Sequence, residues 1–143
     1  AWDRPRVSQT PPAWVAAVVV AVVRDGRVLA LRRAAHKAIG AGRWESVSGH
    51  IEHGEEPCAA AEREAREETG LDVVVERRPI DAYVAPYLER PMLVVVFRGL
   101  APSGDVRPSA EHDAAEWLSP AEIGARGSWP RLVEALERAL REP

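Results

Sequence analysis

The chain is poor in cysteine, methionine and phenylalanine, with one of each among its 143 residues. A lone cysteine, Cys58, rules out an intrachain disulfide and fits a reducing compartment, so the cytoplasm is the expected location. Long apolar runs are also missing. The longest, residues 13–23, is eleven residues and carries neither a cleavage site nor a stop signal; a membrane-spanning helix needs about twenty. It reads as a buried strand, and no membrane association is expected. There is no surplus of positive charge either: Lys and Arg number 19 against 22 Asp and Glu, for a net charge of −3. Nothing steers the chain towards a nucleic-acid backbone, and no nucleic-acid partner is expected. Internal repeats and low-complexity linkers are absent.

What is there is the mixture of a folded domain. Hydrophobic residues make up 46% and charged residues 29%, and the length suits one packed core rather than two. The expected organisation is an extended, proline-bearing arm over residues 1–12 followed by one domain over residues 13–143. Trp2 on the arm offers apolar surface for an anchor to the body or for a homodimer contact.

Two apolar segments, residues 16–24 and 27–33, flank Asp25-Gly26, a two-residue hairpin signal. Residues 34–43 keep neither period and predict a loop; residues 44–51 resume as one extended piece. Strong helix formers over residues 57–69 start at Pro57, suited to the first helical position, and stop at Gly70, suited to the C-terminal cap. Strands are expected at 73–76, 80–84, 92–98 and 114–118. Ser119 is placed to cap a short helix beginning at Pro120, and residues 130–141 repeat apolar side chains at helical spacing. Alternation of this kind predicts an α/β fold, a mixed sheet between helices.

The chemistry lies on the 57–69 helix. Glu64, Glu67 and Glu68 stand at i, i+3 and i+4 and share one face, beside the small face of Cys58, Ala61, Ala65 and Thr69. Like charges so spaced repel, and more strongly where a packed sheet excludes water. A hard divalent cation would offset that repulsion; taken alone, such a stripe is more often a solvated acidic face.

The surrounding sequence bears on this choice. Residues 49–71 read GHIEHGEEPCAAAEREAREETGL, which resembles the Nudix box, G-x5-E-x7-R-E-U-x-E-E-x-G-U, where U is a bulky aliphatic. Gly49, Glu55, Arg63, Glu64, Glu67, Glu68, Gly70 and Leu71 occupy the specified positions; Ala65 is smaller than the pattern prefers. The resemblance implies a Nudix α/β/α sandwich with a mixed sheet. It also implies hydrolysis of a pyrophosphate linkage in a nucleotide-like small molecule by attack of water on phosphorus, with magnesium, or manganese in its place. It makes Glu64, Glu67 and Glu68 the expected metal ligands, with Glu64 also orienting or deprotonating the water. Glu55 and Arg63 become a structural ion pair, and a backbone carbonyl from the turn Ser48-Gly49 becomes a further ligand. Here the run Val47-Ser48-Gly49 departs from the family's frequent Pro-Gly-Gly. Many members add a glutamate from a later loop as base or ligand; Glu111 is the candidate, with Asp113 and Glu116 in reserve, against the plain alternative of a surface acid.

Other residues admit two readings. His50, Glu52 and His53 suggest zinc only superficially, since no cysteine joins them; His50 and Glu52 are instead expected beside substrate phosphates, with His53 in solvent. Arg32, Arg33 and Lys37 either contact phosphates or are simply solvated, and Arg32 is the one assigned to substrate. Trp44 and Trp117 are core aromatics or stacking platforms, and core is the expectation. Cys58 is expected to pack as a small side chain. The rival to an enzyme is a nucleotide-binding module on the same fold, which would have no need of the full acidic set; an isomerase-like relative would want a further cysteine, which is lacking. Pro86 and Tyr87, fifteen and sixteen residues beyond Leu71, resemble the family's cues for ADP-ribose and for dinucleoside polyphosphates respectively. Together they cancel, and a nucleoside triphosphate is the expected substrate.

Overall fold

The apolar run near the start of the chain becomes β1, Val15–Arg24. Val18, Val20 and Val22 face one core, Val19 and Ala21 another, and all five are buried. A strand covered on both faces has no polar side to show, so its sequence is continuously apolar. The computed structural model describes residues 12–141; Trp2 and all of the predicted arm except Pro12 lie outside the described residues. Asp25 and Gly26 both adopt positive φ, 49° and 73°, the backbone that a tight Asp-Gly hairpin requires. They return the chain into β2, Arg27–Arg33.

After that turn the two strands diverge. β7, Arg90–Leu100, runs parallel to β1 along Val15 to Val23 and fills one edge of it. The other edge holds β2 only at Val23 and Arg24, and β4, Val47–His50, from Ala17 to Val20. β2 is likewise filled on one edge by β8, His112–Leu118. Its other edge takes β1 at the turn and β3, Trp44–Glu45, at the far end. β3 and β4 therefore occupy the opening between β1 and β2. The sequence predicts one extended piece over residues 44–51. The structure breaks it at Ser46 into two strands with different partners, because the chain must cross from one side of the opening to the other.

The remaining strands extend β7. β6, Asp81–Tyr87, forms a hairpin with it through Leu88, and β5, Val74–Val75, pairs at its far end. β6, β7 and β8 are longer than expected, and β5 is shorter. Pro86 and Pro91 pair at the hairpin tip, beyond the part of β7 that pairs with β1. Proline is tolerated there because little of the ladder depends on its missing N–H.

Helices cover both faces of this mixed sheet, giving an α/β/α sandwich. α1, Pro57–Thr69, buries Ala60, Ala61 and Ala65 against Val18, Val20, Leu29, Val47 and Phe97. Gly70 ends it at φ 70°, with its N–H on the Arg66 carbonyl. On the other face, α3, Pro130–Arg141, buries Leu132, Ala135, Leu136 and Ala139 with Val19, Ala21, Val28, Ala30 and Trp44. Arg131 clamps α3 to β6 with two bonds to Asp81 of 2.8 and 2.9 Å. Trp44 is a core residue, as expected, and Trp117 packs partly buried against the α1-side core. Among the described residues no helix is long and apolar enough to cross a membrane.

α2, Pro120–Ala125, opens with a complete capping box: Ser119 Oγ accepts from the Glu122 N–H at 3.1 Å while Glu122 reaches back to the Ser119 N–H. Ser119→Ala is expected to lower unfolding free energy by about 1 kcal/mol in urea titrations. An unchanged urea midpoint would contradict the role of the cap.

Candidate active site

Glycine at position 49 lets α1 approach the sheet. Gly49 lies in β4 opposite Val18, and a methyl group built on it would fall inside the carboxylate of Glu64. Any side chain there would push that carboxylate away. The three helix acids share a face but not an environment. Glu68 is 2% exposed, the side chain of Glu64 is 12% exposed and that of Glu67 is 59% exposed, so the stripe runs from the core out to solvent.

Burial pushes the Glu68 carboxyl up to about 9, reinforced by the charges of Glu45, Glu64 and Glu111 and opposed by the Ser48 N–H, which donates to it at 3.2 Å. Burial also raises Glu64, against the pull of Arg63. Ser48 was expected in a turn; it lies in β4, and its amide faces Glu68. Arg63 holds the outer part together. Its Nε and Nη2 donate to Glu55 at 2.9 and 3.0 Å, its Nη1 to Glu64 at 2.8 Å and to Glu67 at 3.3 Å, and its Nη2 to the His50 carbonyl at 3.1 Å. The guanidinium holds the Glu55 carboxyl down at about 2, helped by the Glu52 N–H.

These residues fit a hard cation. Two carboxyls sit where their ionised forms are penalised, one of them over a glycine that leaves it room, and the donors are all oxygen. Among the described residues no three His, Cys, Asp or Glu side chains yet converge closely enough to hold a metal. Arg63 Nη1 instead engages both Glu64 and Glu67.

Other predicted residues fall around this centre. Glu111 is exposed and pairs with Lys37 at 3.4 Å, yet its charge is felt at both Glu64 and Glu68. Asp113 is taken by Arg32 at 2.6 Å, and Glu116 by Arg126. Arg32 is thus ion-paired, and its guanidinium lies 5.9 Å from the Trp44 ring, on the face of the sheet away from α1. The His50 ring meets Tyr87 edge-on at 4.8 Å, and Glu52 is exposed, 3.9 Å from Arg63. Neither yet joins the carboxylate cluster. Cys58 is half-buried, and burial raises its thiol pKa, in keeping with a packed side chain.

The structure adds two residues that the sequence reading passed over. Glu45 is 5% exposed and His112 is 6% exposed. Glu45 accepts from Arg33 Nη1 at 2.9 Å and from the Ser48 hydroxyl at 3.3 Å, and lies 3.0 Å from His112 Nε2. An acid inside a short strand next to a tryptophan was the available signal, but its partners lie 12 and 67 positions away.

The chain resembles known proteins in sequence and in fold. The model of the NUDIX domain matches residues 13–139. A MutT-like protein of Streptomyces ambofaciens is 38% identical over 142 residues, covering 96% of this chain and 86% of that protein. An octanoyltransferase of Myxococcus xanthus is 36% identical over 145 residues; the match covers 96% of this chain but only 40% of that protein. Among solved structures, the MutT protein from Methanosarcina mazei Go1 superposes with a TM-score of 0.81 at 25% identity, covering 93% of this chain and 97% of that one. With the box, the sandwich and these relatives in agreement, the chain belongs to the Nudix family of hydrolases.

Proposed function

We propose that this Nudix hydrolase cleaves the pyrophosphate linkage of a nucleoside triphosphate, using magnesium held by Glu64, Glu67 and Glu68. The observation that carries the reading is the buried Glu68 carboxyl beside Glu64 and Glu45, three acids whose ionised forms repel unless a cation joins them. A pure binding module has no physical need for that repulsion. Divalent cations bound there would neutralise the diphosphate and lower the pKa of a water. Glu64, closest to Gly49, orients that water; Glu68, anchored by the Ser48 amide, is the fixed ligand; Glu67, the most exposed, swings between Arg63 and the cation. Glu55 keeps Arg63 on the helix, and Glu111 brings a further carboxylate from the β8 side. In this reading His50 and Glu52 remain peripheral contacts for the substrate, and each must leave or share its present partner to serve; Arg32, paired with Asp113 on the opposite face of the sheet, does not reach the acids.

A place for the base supports a nucleotide. Beyond the Gly49–Glu64 contact, Ala16, Leu93 and Val84 stand side by side across β1, β7 and β6 on the α1 face, and all three are exposed. Leu93 and Val84 are 41% and 57% exposed. A flat apolar strip one strand wide of the acids suits an aromatic base whose phosphates point at the helix.

Four outcomes are expected. With magnesium and a panel of nucleoside triphosphates, ADP-ribose and a dinucleoside polyphosphate, pyrophosphate or phosphate release is expected to be fastest with a triphosphate. Glu67→Gln and Glu68→Gln are expected to lower kcat by orders of magnitude while staying folded; wild-type turnover in both would sink the assignment. Gly49→Ala is expected to keep its melting temperature within a few degrees, because the carboxylate end of Glu64 can move aside. It should nevertheless lose activity about as severely as Glu64→Gln, and near-normal activity would show that the Glu64 position is immaterial.

The fourth outcome concerns pH. A carboxyl raised from an ordinary 4.5 to about 9 binds more protons in the folded state across that window. The stability it contributes is present below about pH 4.5 and is lost as pH rises through 9. In EDTA, the melting temperature of the wild type is therefore expected to fall from pH 5 to 9 more steeply than that of Glu68→Gln, and magnesium should flatten the wild-type slope. Equal slopes for the two proteins in EDTA would contradict the buried-acid description.

A further inference from the structure

We infer that Glu45 and His112 form a buried positioning pair that holds the two sides of the acidic site in register, linked to Glu68 through Ser48, whose hydroxyl bonds Glu45 and whose amide bonds Glu68. The inference rests on the reading that the helix acids hold a cation. Its geometric basis is a β-bulge. β2 and β8 pair in step from Val28↔Leu118 to Arg32↔Ala114, then shift so that Arg33 faces His112, and Asp113 is left as the extra residue. Without the shift, His112 would share the face of Ala114 and Leu118, towards α3. The bulge turns it to the face of Arg33 and Leu31, which is the α1 face. Glu45 pairs with Leu31 and lies on that same face.

The result is a hub with one spoke to each element around the opening of the sheet. Glu45 on β3 receives Arg33 from β2 at 2.9 Å, the Ser48 hydroxyl from β4 at 3.3 Å and His112 from β8 at 3.0 Å. From this hub two short paths reach the site. Ser48 donates its N–H to Glu68 at 3.2 Å. His112 follows Glu111 directly, and the Glu111 carbonyl is itself held by the Ala34 N–H at 2.9 Å. Glu45, more than nine-tenths buried and held by three polar partners, is restricted in its movement. Fixing Glu45 therefore fixes the spacing between Glu68 and the Glu111 loop. The serine at position 48, where the family often has glycine, supplies the hydroxyl that completes the connection. Groups behind metal ligands orient them, and their loss commonly weakens metal affinity or activity by about ten- to a hundredfold.

The test uses the full chain and Mn2+ followed by electron paramagnetic resonance, with kinetics in parallel. His112→Ala is expected to weaken Mn2+ binding about tenfold and to lower kcat about tenfold with KM unchanged. His112→Gln, which keeps a donor at the same reach, is expected to restore both to within about threefold of wild type. Ser48→Ala removes only the hydroxyl link and leaves the amide on Glu68; it is expected to stay folded and to weaken Mn2+ binding severalfold, so the inference stays testable even if His112→Ala does not fold. Mn2+ affinity and kcat within twofold of wild type in Ser48→Ala, or in a folded His112→Ala, would overturn the pair's role. Glu68→Gln separates the two levels: if it too leaves Mn2+ binding intact, the cation reading has failed and not merely the positioning pair.

Discussion

The rest of the site depends on carboxylates being forced together at a point where the backbone has no side chain. Gly49 lets α1 settle so close to β4 that the Glu64 carboxylate lies over its Cα, and the same approach sinks Glu68 out of water. That arrangement is unfavourable by itself. Burial and like charge both penalise ionised Glu68, and a single backbone N–H does not offset them. A protein built only for stability would place an apolar side chain at position 68. Keeping an acid there makes sense where a cation and a polyanionic substrate complete the charge balance, and that is the chemistry of the family to which the chain belongs.

Arg63 mediates between the two states. It is bound on one side by Glu55, which also accepts from the Glu52 N–H, and on the other by Glu64 and Glu67. Without a divalent ion, the guanidinium partly neutralises the helix acids. In the proposed reading, a bound divalent ion draws the two acids away from Arg63, which Glu55 keeps in place. The three glutamates differ in exposure to match: the buried Glu68 is held by the Ser48 amide, and the exposed Glu67 by Arg63 alone among the described residues.

Much of this is legible in the sequence, because the decisive features are local. The Asp25-Gly26 hairpin, the α1 boundaries at Pro57 and Gly70, the Ser119 cap and the spacing of Glu64, Glu67 and Glu68 each lie within a few residues of one another, where backbone preference and helical periodicity act directly. What was missed is non-local. The division of residues 44–51 into two strands follows from β1 and β2 moving apart, which no window of eight residues contains. Glu45 and His112 meet only because a bulge at Asp113 reverses the face that alternation alone would assign. Arg32 and Asp113, read separately as a phosphate contact and a reserve base, turn out to pair with each other across 81 positions. The pairing of distant strands decides such contacts, and one chain's sequence carries little trace of it.

The account makes one structural demand: a divalent ion must sit between Glu64 and Glu68, with Glu67 released from Arg63. Crystals soaked with Mn2+ and a non-hydrolysable nucleoside triphosphate, measured at the manganese absorption edge, would answer it. An anomalous peak within coordination distance of the Glu64 and Glu68 carboxylates, next to the phosphates, is the predicted result. Phosphates bound elsewhere, with no peak there and with Glu64 and Glu67 still on Arg63, would contradict it.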